Sequence, residues 1–597
     1  MLVLGISAFY HDSAAALVRE GDIVAAAQEE RFSRIKHDQS LPIGAVKYCL
    51  NEAGVDFGEI DKVVFYDKPL LTFDRLLETY LSFAPRGFGS FVNSMPVWLK
   101  QKIMQKGLIR KGLASLDRGV VKEEQICFCF HHHSHAASAF YPSPFETAAI
   151  IVCDGVGEWA TTTMGRGEEN RVILDREIRF PHSLGMLYSA FTYYLGFAVN
   201  EGEYKVMGLA PYGEPRFVNE IRDNLIDVKR DGSYKLNMSY FNYCTGMTMT
   251  NGRFNELFRG PVRRSDEPLT QRHMDVARSI QVVVEDVMLH IARTLHDLTG
   301  ERNLCMAGGV ALNCVANGRL LREGPFESIW IQPAAGDAGG AVGAALSLFY
   351  DGTSAKRSLT SAMPDGMKGA YLGPAFSDGE IEATLKRQKA VYQRLDDELL
   401  FDEVARALTN GRVVGWFQGR MEFGPRALGN RSILGDPRSP SMQRVLNLKI
   451  KYRESFRPFA PAVKEEKVSD YFELNCSSPY MLLVANVRAD RLRQLSESEK
   501  SLRGLDRLNI ARSELPAITH VDCSARVQTV DRRTNSRFYR LLEAFEAQTG
   551  CAVLVNTSFN VRDEPIVCTP DDAYRCFMGT EMDMLVAGNY VVSKGQQ

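Results

Sequence analysis

The sequence predicts a mixed α/β and α+β protein that opens with a duplicated strand-loop-strand unit and continues into a second domain. Three observations lead to this prediction. The same order of short apolar runs occurs near residue 1 and again near residue 148, a long amphipathic helix feeds a buried run near residue 303, and the pattern restarts after a polar stretch near residue 360. A chain of 597 residues has room for three or more folding units at roughly 100 to 200 residues each.

The duplicated unit consists of three short strands with a turn between the second and the third. The runs are residues 2–7, 14–18 and 23–28 in the first copy and 148–153, 160–164 and 171–179 in the second. Each copy places an acid, Asp12 or Asp154, in the loop after its first strand. Such a pair predicts a duplicated nucleotide-binding fold whose two loops face each other across a cleft. The alternative is that short strand-turn-strand stretches recur by chance.

Helices with clear start and stop signals follow the strands. Residues 42–54 begin with proline and end with glycine, and residues 270–300 carry apolar residues at helical spacing between a threonine and a glycine. Gly308-Gly309 and Gly339-Gly340 both stand next to predicted helices. Their backbone amides would attract phosphate, although glycine is equally expected where a strand packs tightly on a helix.

The polar stretch at residues 351–368 is typical of a linker. Beyond it we expect a strand at 413–417, a basic loop at 418–431, a charged helical excursion at 488–514 and a buried strand at 552–555 that leads into a loop. The predicted domains are therefore residues 1–355 and 371–597, joined by a linker at 356–370.

Composition excludes several classes of function. Hydrophobic residues make up 45% and charged residues 24%, which is typical of a soluble globular protein. With 71 basic and 73 acidic residues, no bulk field favours nucleic acid or an anionic membrane. No apolar run approaches ~18 residues, and no basic segment leads into one at the start. The 12 cysteines contain no paired C-x-x-C knuckles. We expect a reduced, cytoplasmic protein with no nucleic-acid and no membrane partner.

The segment at residues 131–135 holds four of the 11 histidines. If a helix begins at His131, then His131 and His135 share one face, and Asp154 and Asp337 could complete a metal site. Two imidazoles and two carboxylates suit iron, zinc or manganese. The alternative is that these are core and capping residues.

Cations in the C-terminal half are spread among glycine, proline and aromatic residues rather than among compensating acids. The run at residues 451–461 would offer alternate cations on one side of an extended segment. Ser558 and Asn560, on the loop after the buried strand, could add donors. The cations are Arg420, Arg426, Arg431, Arg438, Lys449, Lys451, Arg453, Arg457 and Arg526.

These motifs together resemble the O-carbamoyltransferase family of nodulation protein U and antibiotic-tailoring enzymes, in order and over nearly the whole chain. The N-terminal motifs are Gly5-Ile6-Ser7, His11-Asp12-Ser13, residues 131–140, Asp154-Gly155, residues 203–208, Gly308 to Asn313, and Gly336-Asp337. The C-terminal motifs are residues 423–429 and 456–461, His520-Val521-Asp522 with Arg526, and Asn556 to Asn560.

The resemblance implies a two-part enzyme. Its first domain has the duplicated actin-like ATPase fold of the tRNA threonylcarbamoyltransferases and transfers the carbamoyl group. Its second is YrdC-like, with the Lys-x-Arg and Ser-x-Asn pattern matched by Lys451, Arg453, Ser558 and Asn560. By resemblance the second domain converts carbamoyl phosphate and ATP, with Mg²⁺, to carbamoyl adenylate. A hydroxyl of a small-molecule natural product, such as an antibiotic precursor, then attacks this intermediate at the metal site.

The resemblance also assigns residues to roles. The implied metal, most simply Fe²⁺, is held by His131, His135, Asp154 and Asp337. His11, beside Asp12, is the candidate general base, with a role in shaping its turn as the alternative. The carbamoyl-adenylate and nucleotide contacts are Lys36, Asp154, Gly308, Gly309, Asn313, Arg426, Arg457, Arg526, Asn556 and Ser558.

Some alternatives stay open. His133 stands where the family usually has an apolar residue, so His132 or His133 could replace His131 as a ligand. A regulatory actin-like ATPase and a tRNA-type threonylcarbamoyl enzyme are the rival functions. Segments 70–123 and 237–268 carry none of the motifs and are expected to line the acceptor pocket. A homodimer is the default oligomeric state.

Overall fold

The computed structural model describes residues 1–357 and 362–597, apart from the side chains at positions 100 and 101. Positions 358–361 of the predicted linker lie outside the described residues. The chain divides into two compact units. Met1–Glu29 and residues 37–357 form the first, and Glu30–Lys36 joins residues 362–597 in the second. Within the second unit, the side chain of Asp365, from the predicted linker, accepts a hydrogen bond of 2.7 Å from the Tyr480 hydroxyl.

The first unit contains two five-stranded sheets and a two-stranded ribbon. Its strands are β1 (Leu2–Ser7), β2 (Ala14–Arg19), β3 (Asp22–Gln28), β4 (Lys62–Phe65), β5 (Ile126–Phe128), β6 (Thr147–Cys153), β7 (Ala160–Glu168), β8 (Arg171–Arg179), β9 (Ile226–Val228), β10 (Tyr234–Leu236), β11 (Asn303–Ala307) and β12 (Ser328–Ile331).

The two large sheets have the same topology. The strand orders are β3-β2-β1-β4-β5 and β8-β7-β6-β11-β12. In each, the first three strands form an antiparallel meander, and the last two run parallel to the first strand. The first strand of each copy, β1 or β6, lies at the centre and is almost wholly buried, which explains its continuous apolar run. The predicted duplication is confirmed, and the first unit has the duplicated actin-like α/β fold.

The helices of the first unit cover and connect these sheets. They are α2 (Ile43–Ala53), α3 (Pro69–Phe83), α4 (Phe88–Trp98), α5 (Gln105–Ala114), α6 (His131–Phe140), α7 (Leu184–Tyr194), α8 (Glu203–Leu209), α9 (Val218–Asn224), α10 (Gly252–Leu257), α11 (Gln271–Thr299), α12 (Cys314–Glu323) and α13 (Asp337–Gly352), while α1 (Glu30–Ser33) belongs to the second unit.

The predicted helix boundaries at residues 42–54 and 270–300 are confirmed. Gly54 and Gly300 both end their helices in the left-handed region, with φ of 66°. Such a conformation favours glycine because it has no Cβ to clash with the backbone. The long helix α11 buries its apolar face in the core, as its periodicity predicts.

The second unit is built on a nine-stranded mixed sheet. Its strands, in the order β13-β21-β20-β14-β15-β19-β16-β18-β17, are β13 (Gln393–Arg394), β14 (Val414–Phe417), β15 (Arg431–Gly435), β16 (Ala460–Lys464), β17 (Leu483–Asn486), β18 (Ser524–Val530), β19 (Val553–Ser558), β20 (Met584–Ala587) and β21 (Tyr590–Ser593). Its helices beyond α1 are α14 (Asp378–Arg387), α15 (Asp397–Thr409), α16 (Met442–Val445), α17 (Val468–Tyr471), α18 (Glu497–Ser501), α19 (Ser536–Thr549) and α20 (Pro570–Met578).

Two local predictions for this unit are wrong. Residues 451–459 are not extended, because a π-helical turn at Leu446–Ile450 ends at Lys451, whose N–H donates to the Leu446 carbonyl at 2.9 Å. Ser558 is the last residue of β19 rather than a loop residue. The charged stretch at 488–514 is helical in part, as predicted, with short helices at Ala489–Arg491, Glu497–Ser501 and Gly504–Arg507.

Among the described residues, no helix is both long and apolar enough to cross a membrane.

Candidate metal centre and cationic site

The first unit gathers two histidines and two aspartates from three different elements. His131 and His135 lie one turn apart on α6, Asp154 follows β6, and Asp337 is the first residue of α13. One ligand atom from each lies within 4.8 Å of the other three. His131 Nε2 is 3.0 Å from Asp154 Oδ2, and His135 Nε2 is 3.6 Å from Asp337 Oδ1. Imidazole nitrogens and carboxylate oxygens that converge in this way fit a divalent first-row metal.

Two glycines of α13 allow it to lie close to α6 and to Tyr66. A Cβ on Gly343 would lie 1.7 Å from the Ser134 carbonyl oxygen, and one on Gly340 would lie 2.7 Å from the ring of Tyr66. No side chain other than hydrogen fits at Gly343 without movement of α6 or α13. The small residues of α13 therefore set the distance between Asp337 and the histidines.

The histidines and aspartates of the cluster stabilise one another's charged forms. Burial would raise the pKa of the Asp154 carboxyl, but the imidazoles of His131 and His135 hold it well below its usual range. Burial opposes charge on His135, yet the two aspartates raise its pKa to about 9. A proton on His135 thus occupies the place of a cation in this arrangement, and metal binding would release it.

Backbone and side-chain donors orient the cluster from outside. Asp154 Oδ1 accepts from the Gly309 N–H at 2.9 Å, and Asp337 Oδ2 accepts from the Tyr66 hydroxyl at 3.2 Å. Glu158 is buried, and its carboxylate accepts from the N–H of His131 and the N–H of Lys68, both at 2.9 Å. This carboxylate at the N-terminus of α6 fixes the first turn of the helix. Outer contacts of this kind orient metal ligands.

Sequence reasoning missed Tyr66 and Glu158. Glu158 gave one available signal, because it closes the same acidic loop as Asp154. Tyr66 gave none, since it stands more than 270 residues from Asp337 in sequence.

The predicted base lies at the edge of this cluster. His11 Nε2 is 3.8 Å from Asp337 Oδ2, and His11 Nδ1 is 3.0 Å from Asp12 Oδ2. Asp12 also contacts His37 Nδ1 at 2.7 Å. Burial opposes charge on His11, but Asp337 and Asp12 raise its pKa to about 9. Since a base must be neutral, the base role is favoured when a cation offsets the charge of the aspartates.

The neighbouring histidines point elsewhere. His132 Nδ1 contacts the Thr163 hydroxyl at 3.1 Å, and His133 Nε2 is 3.4 Å from Asp351. The geometry therefore favours the His131 and His135 register over the two alternatives.

The glycine-rich turn at Gly308 is engaged with the protein itself. Gly308 has a φ of 88°, and a Cβ there would lie 2.4 Å from the Cys153 carbonyl oxygen, so it serves close strand packing. The Gly309 N–H, expected to meet phosphate, donates instead to Asp154. Asn313 caps α12 by accepting from the Ala316 N–H at 3.1 Å.

The second unit places a buried ammonium beside the end of β19. Lys451 is 4% exposed, and its Nζ donates to the carbonyl oxygens of Ser558 and Asn560 at 2.7 and 2.8 Å. It also reaches the Ser558 hydroxyl at 3.1 Å and the Asn560 side-chain oxygen. Every one of these acceptors is a neutral oxygen. The predicted grouping of Lys451 with Ser558 and Asn560 thus exists in the structure.

Further cations act on this ammonium. The pKa of Lys451 is lowered well below its ordinary value, mainly by burial. The positive charges of Arg453, Arg457 and Lys36 lower it further. Lys36 belongs to the segment Glu30–Lys36 of the second unit. Arg457 also lies 3.7 Å from Glu454 Oε2. A buried ammonium whose pKa is lowered in this way is stabilised by a nearby anion.

The other residues of this unit that were predicted to bind substrate contact nearby protein groups or lie on elements of the sheet. Arg453 Nε donates to Asn447 Oδ1 at 2.7 Å, and its guanidinium lies 4.5 Å from the Phe459 ring centroid. Asn556 is buried and donates to Gln528 Oε1 at 2.6 Å. Arg526 lies on β18 opposite Val484, and Arg426 lies in the loop before β15.

Two family models match the chain over both units. Residues 2–346 match the model described as "Carbamoyltransferase N-terminus", and residues 405–594 match "Carbamoyltransferase C-terminus". The chain belongs to the carbamoyltransferase family and is a carbamoyltransferase enzyme.

Similar proteins match this chain over nearly its full length. An uncharacterized protein of Synechocystis is 62% identical over 100% of this chain and 97% of its own length. Nodulation protein NolNO of Sinorhizobium fredii is 38% identical over 98% of this chain and 79% of its own length. Nodulation protein U of Rhizobium tropici is 27% identical over 97% and 94%.

Similarity to solved structures is more distant. Component A of (R)-2-hydroxyglutaryl-CoA dehydratase from Acidaminococcus fermentans is 14% identical with a TM-score of 0.29, covering 59% of this chain and 98% of that one. HypF from T. kodakarensis is 15% identical with a TM-score of 0.27, covering 59% and 48%.

Proposed function

We propose that this carbamoyltransferase is an ATP-dependent O-carbamoyltransferase. In the first step water hydrolyses carbamoyl phosphate to carbamate and phosphate, and a carbamate oxygen then bonds to the α-phosphorus of ATP, with Mg²⁺, as pyrophosphate leaves. The carbamoyl group of the resulting carbamoyl adenylate is transferred to a hydroxyl of a small-molecule natural product. In this proposal residues 371–597 form the YrdC-like adenylate-forming domain and residues 1–355 form the transfer domain.

The observation that carries the proposal is the environment of Lys451. Its buried ammonium donates to the neutral oxygens of Ser558 and Asn560 among the described residues, and the positive charges of Arg453, Arg457 and Lys36 act on it. A site with this charge is suited to the phosphates of ATP and of carbamoyl phosphate. Holding both substrates there would bring the carbamoyl donor and the α-phosphate into reacting distance.

The transfer step is assigned to the cluster in the first unit. The acceptor oxygen bonds to the carbamoyl carbon, the bond from that carbon to the AMP oxygen breaks, and the hydroxyl proton passes to His11 Nε2. Asp12, 3.0 Å from the other ring nitrogen, orients the imidazole. Asp337 Oδ2 lies 3.8 Å from Nε2 and stabilises the resulting imidazolium.

His131, His135, Asp154 and Asp337 would hold the metal, for which Fe²⁺ is our choice. When bound, such a metal neutralises phosphate charge as AMP leaves. Tyr66 and Glu158 keep Asp337 and α6 in place for this purpose.

The test is product formation. The purified protein is incubated with ATP, Mg²⁺ and carbamoyl phosphate and a panel of hydroxyl-bearing small molecules, including aminoglycosides, macrolactams and oligosaccharides, and the products are analysed by mass spectrometry. We expect a carbamate ester on at least one acceptor, with AMP and pyrophosphate formed in step with it. Carbamoylation without ATP consumption, or threonylcarbamoyl product from threonine and bicarbonate, would contradict the proposal.

A further inference from the structure

A helical segment of the first unit exposes apolar side chains that the described residues of that unit leave uncovered. α4 continues without a break into a π-helical turn at Leu99–Ile103, and α5 follows after Met104. In α4, all of which lies in the described range, no residue is buried. An apolar helix of this length normally buries at least one stripe against the protein.

The exposed side chains form a regular row. Phe88, Val92, Pro96, Leu99 and Ile103 are spaced by four, four, three and four residues, which places them on one face of the continuous helix. Phe88 is 72% exposed, Val92 51%, Leu99 43% and Ile103 51%. Isolated exposed apolar residues are normal on soluble proteins, but a contiguous row marks an interaction surface.

A neighbouring face of the same helix is used for packing. The rings of Phe91 and Trp98 lie 5.3 and 5.6 Å from the ring of Tyr80 on α3, and Lys102 pairs with Asp67 at 3.2 Å. These contacts hold the helix on the unit while the row from Phe88 to Ile103 stays outside. The row therefore lies on the exposed surface of the described unit.

The charged residues of this segment are all basic. Residues 80–116 contain six basic residues and no acidic one, although the whole chain has a net charge of -2. The six are Arg86, Lys100, Lys102, Lys106, Arg110 and Lys111. Arg86 and Lys111 are exposed, whereas Lys102 and Arg110 also contact Asp67 and Glu123. A second copy of the chain would bring two such cationic segments together, so self-association through this face is disfavoured.

We propose that this segment, Phe88 to Ala114, docks on the surface of an anionic lipid bilayer. Helices with an apolar row flanked by lysine and arginine, and without acids, lie in the interface of such bilayers. The row would enter the acyl boundary while basic residues within and just before the segment, namely Arg86, Lys106 and Lys111, contact the lipid phosphates. The sequence prediction of no membrane partner rested on the overall charge and on the lack of a membrane-spanning segment. Neither feature tests whether a surface helix binds to a bilayer.

The test is binding of the full-length protein to vesicles of phosphatidylcholine alone and of phosphatidylcholine with phosphatidylglycerol, by co-sedimentation. Binding should require the anionic lipid and should weaken with added salt. Val92→Glu with Leu99→Glu should abolish it, whereas Leu298→Glu, at a 50% exposed leucine on α11, should not. Replacing Arg86, Lys106 and Lys111 by Gln should weaken binding on the order of 10²-fold, at about 5-fold per charge.

Circular dichroism and sedimentation velocity on each variant exclude misfolding as the cause. Equal binding to both vesicle types, or no binding to either, would overturn the proposal. So would a wild-type dimer that the Val92 and Leu99 substitutions convert to monomer, since the row would then be a subunit interface.

Discussion

Gly343 offers a way to disturb the proposed metal centre without touching a ligand. An alanine there would place its Cβ 1.7 Å from the Ser134 carbonyl oxygen and 2.8 Å from the Ser138 N, where ordinary contact begins at 3.4 Å. Both atoms are backbone atoms of α6, so neither can swing aside. The helices α6 and α13 must separate by roughly 1 Å or more to relieve a contact this close.

This separation would act directly on the ligand set, because α6 carries His131 and His135 while α13 carries Asp337. Metal sites require ligand distances within about 0.2 Å of ideal values. We therefore expect Gly343→Ala to weaken metal binding by about 10- to 100-fold and to lower the free energy of unfolding by about 1 to 3 kcal/mol, the usual cost of overpacking.

Gly352→Ala is the matched control. Gly352 ends the same helix, and a Cβ there meets nothing within 4 Å. This variant should unfold at or slightly above the wild-type temperature and bind metal normally. Metal affinity is measured by anaerobic calorimetric titration with Fe²⁺, with Mn²⁺ as an air-stable probe, and stability by thermal unfolding. If the two variants have the same metal affinity and the same unfolding temperature, the close approach of α6 and α13 does not organise the site.

Two further predictions concern residues around the cluster. Glu158→Gln should lower the free energy of unfolding by about 1 to 3 kcal/mol and weaken metal binding, because a neutral amide replaces the carboxylate that accepts from the His131 N–H; the exposed Glu168→Gln serves as control, and equal melting temperatures and affinities would contradict this role. His11→Ala should slow single-turnover transfer from preformed carbamoyl adenylate by about 10²- to 10⁴-fold while acceptor binding is retained; an unchanged rate would mean that His11 only shapes its turn.

Much of the first unit could be predicted because its signals are local. The apolar runs of the two meanders, the caps of α11 and the spacing of His131 and His135 each depend on residues close together in sequence. The duplication then implied that Asp12 and Asp154 occupy equivalent loops, and the structure places the side chains of both loops near Asp337.

What could not be predicted depends on contacts between distant segments or on competition between local structures. Tyr66 reaches Asp337 only because β4 lies beside β1 in the folded sheet. Alternating cations after Lys451 suggested an extended segment, yet the N–H of Arg453 donates to the Asn447 carbonyl and closes a turn. The Gly309 amide had the pattern of a phosphate donor, but the carboxylate of Asp154 lies 2.9 Å away and accepts its hydrogen bond.

The most direct test of the two-site account is to measure the half-reactions separately in two variants. Lys451→Ala should lose carbamoyl-phosphate-dependent formation of pyrophosphate from ATP, yet transfer the carbamoyl group from synthetic carbamoyl adenylate at a near wild-type rate. His135→Ala should show the opposite pattern, with adenylate still formed and transfer abolished. Parallel losses in both assays, for both variants, would contradict the assignment of activation to the Lys451 site and transfer to the His131 cluster.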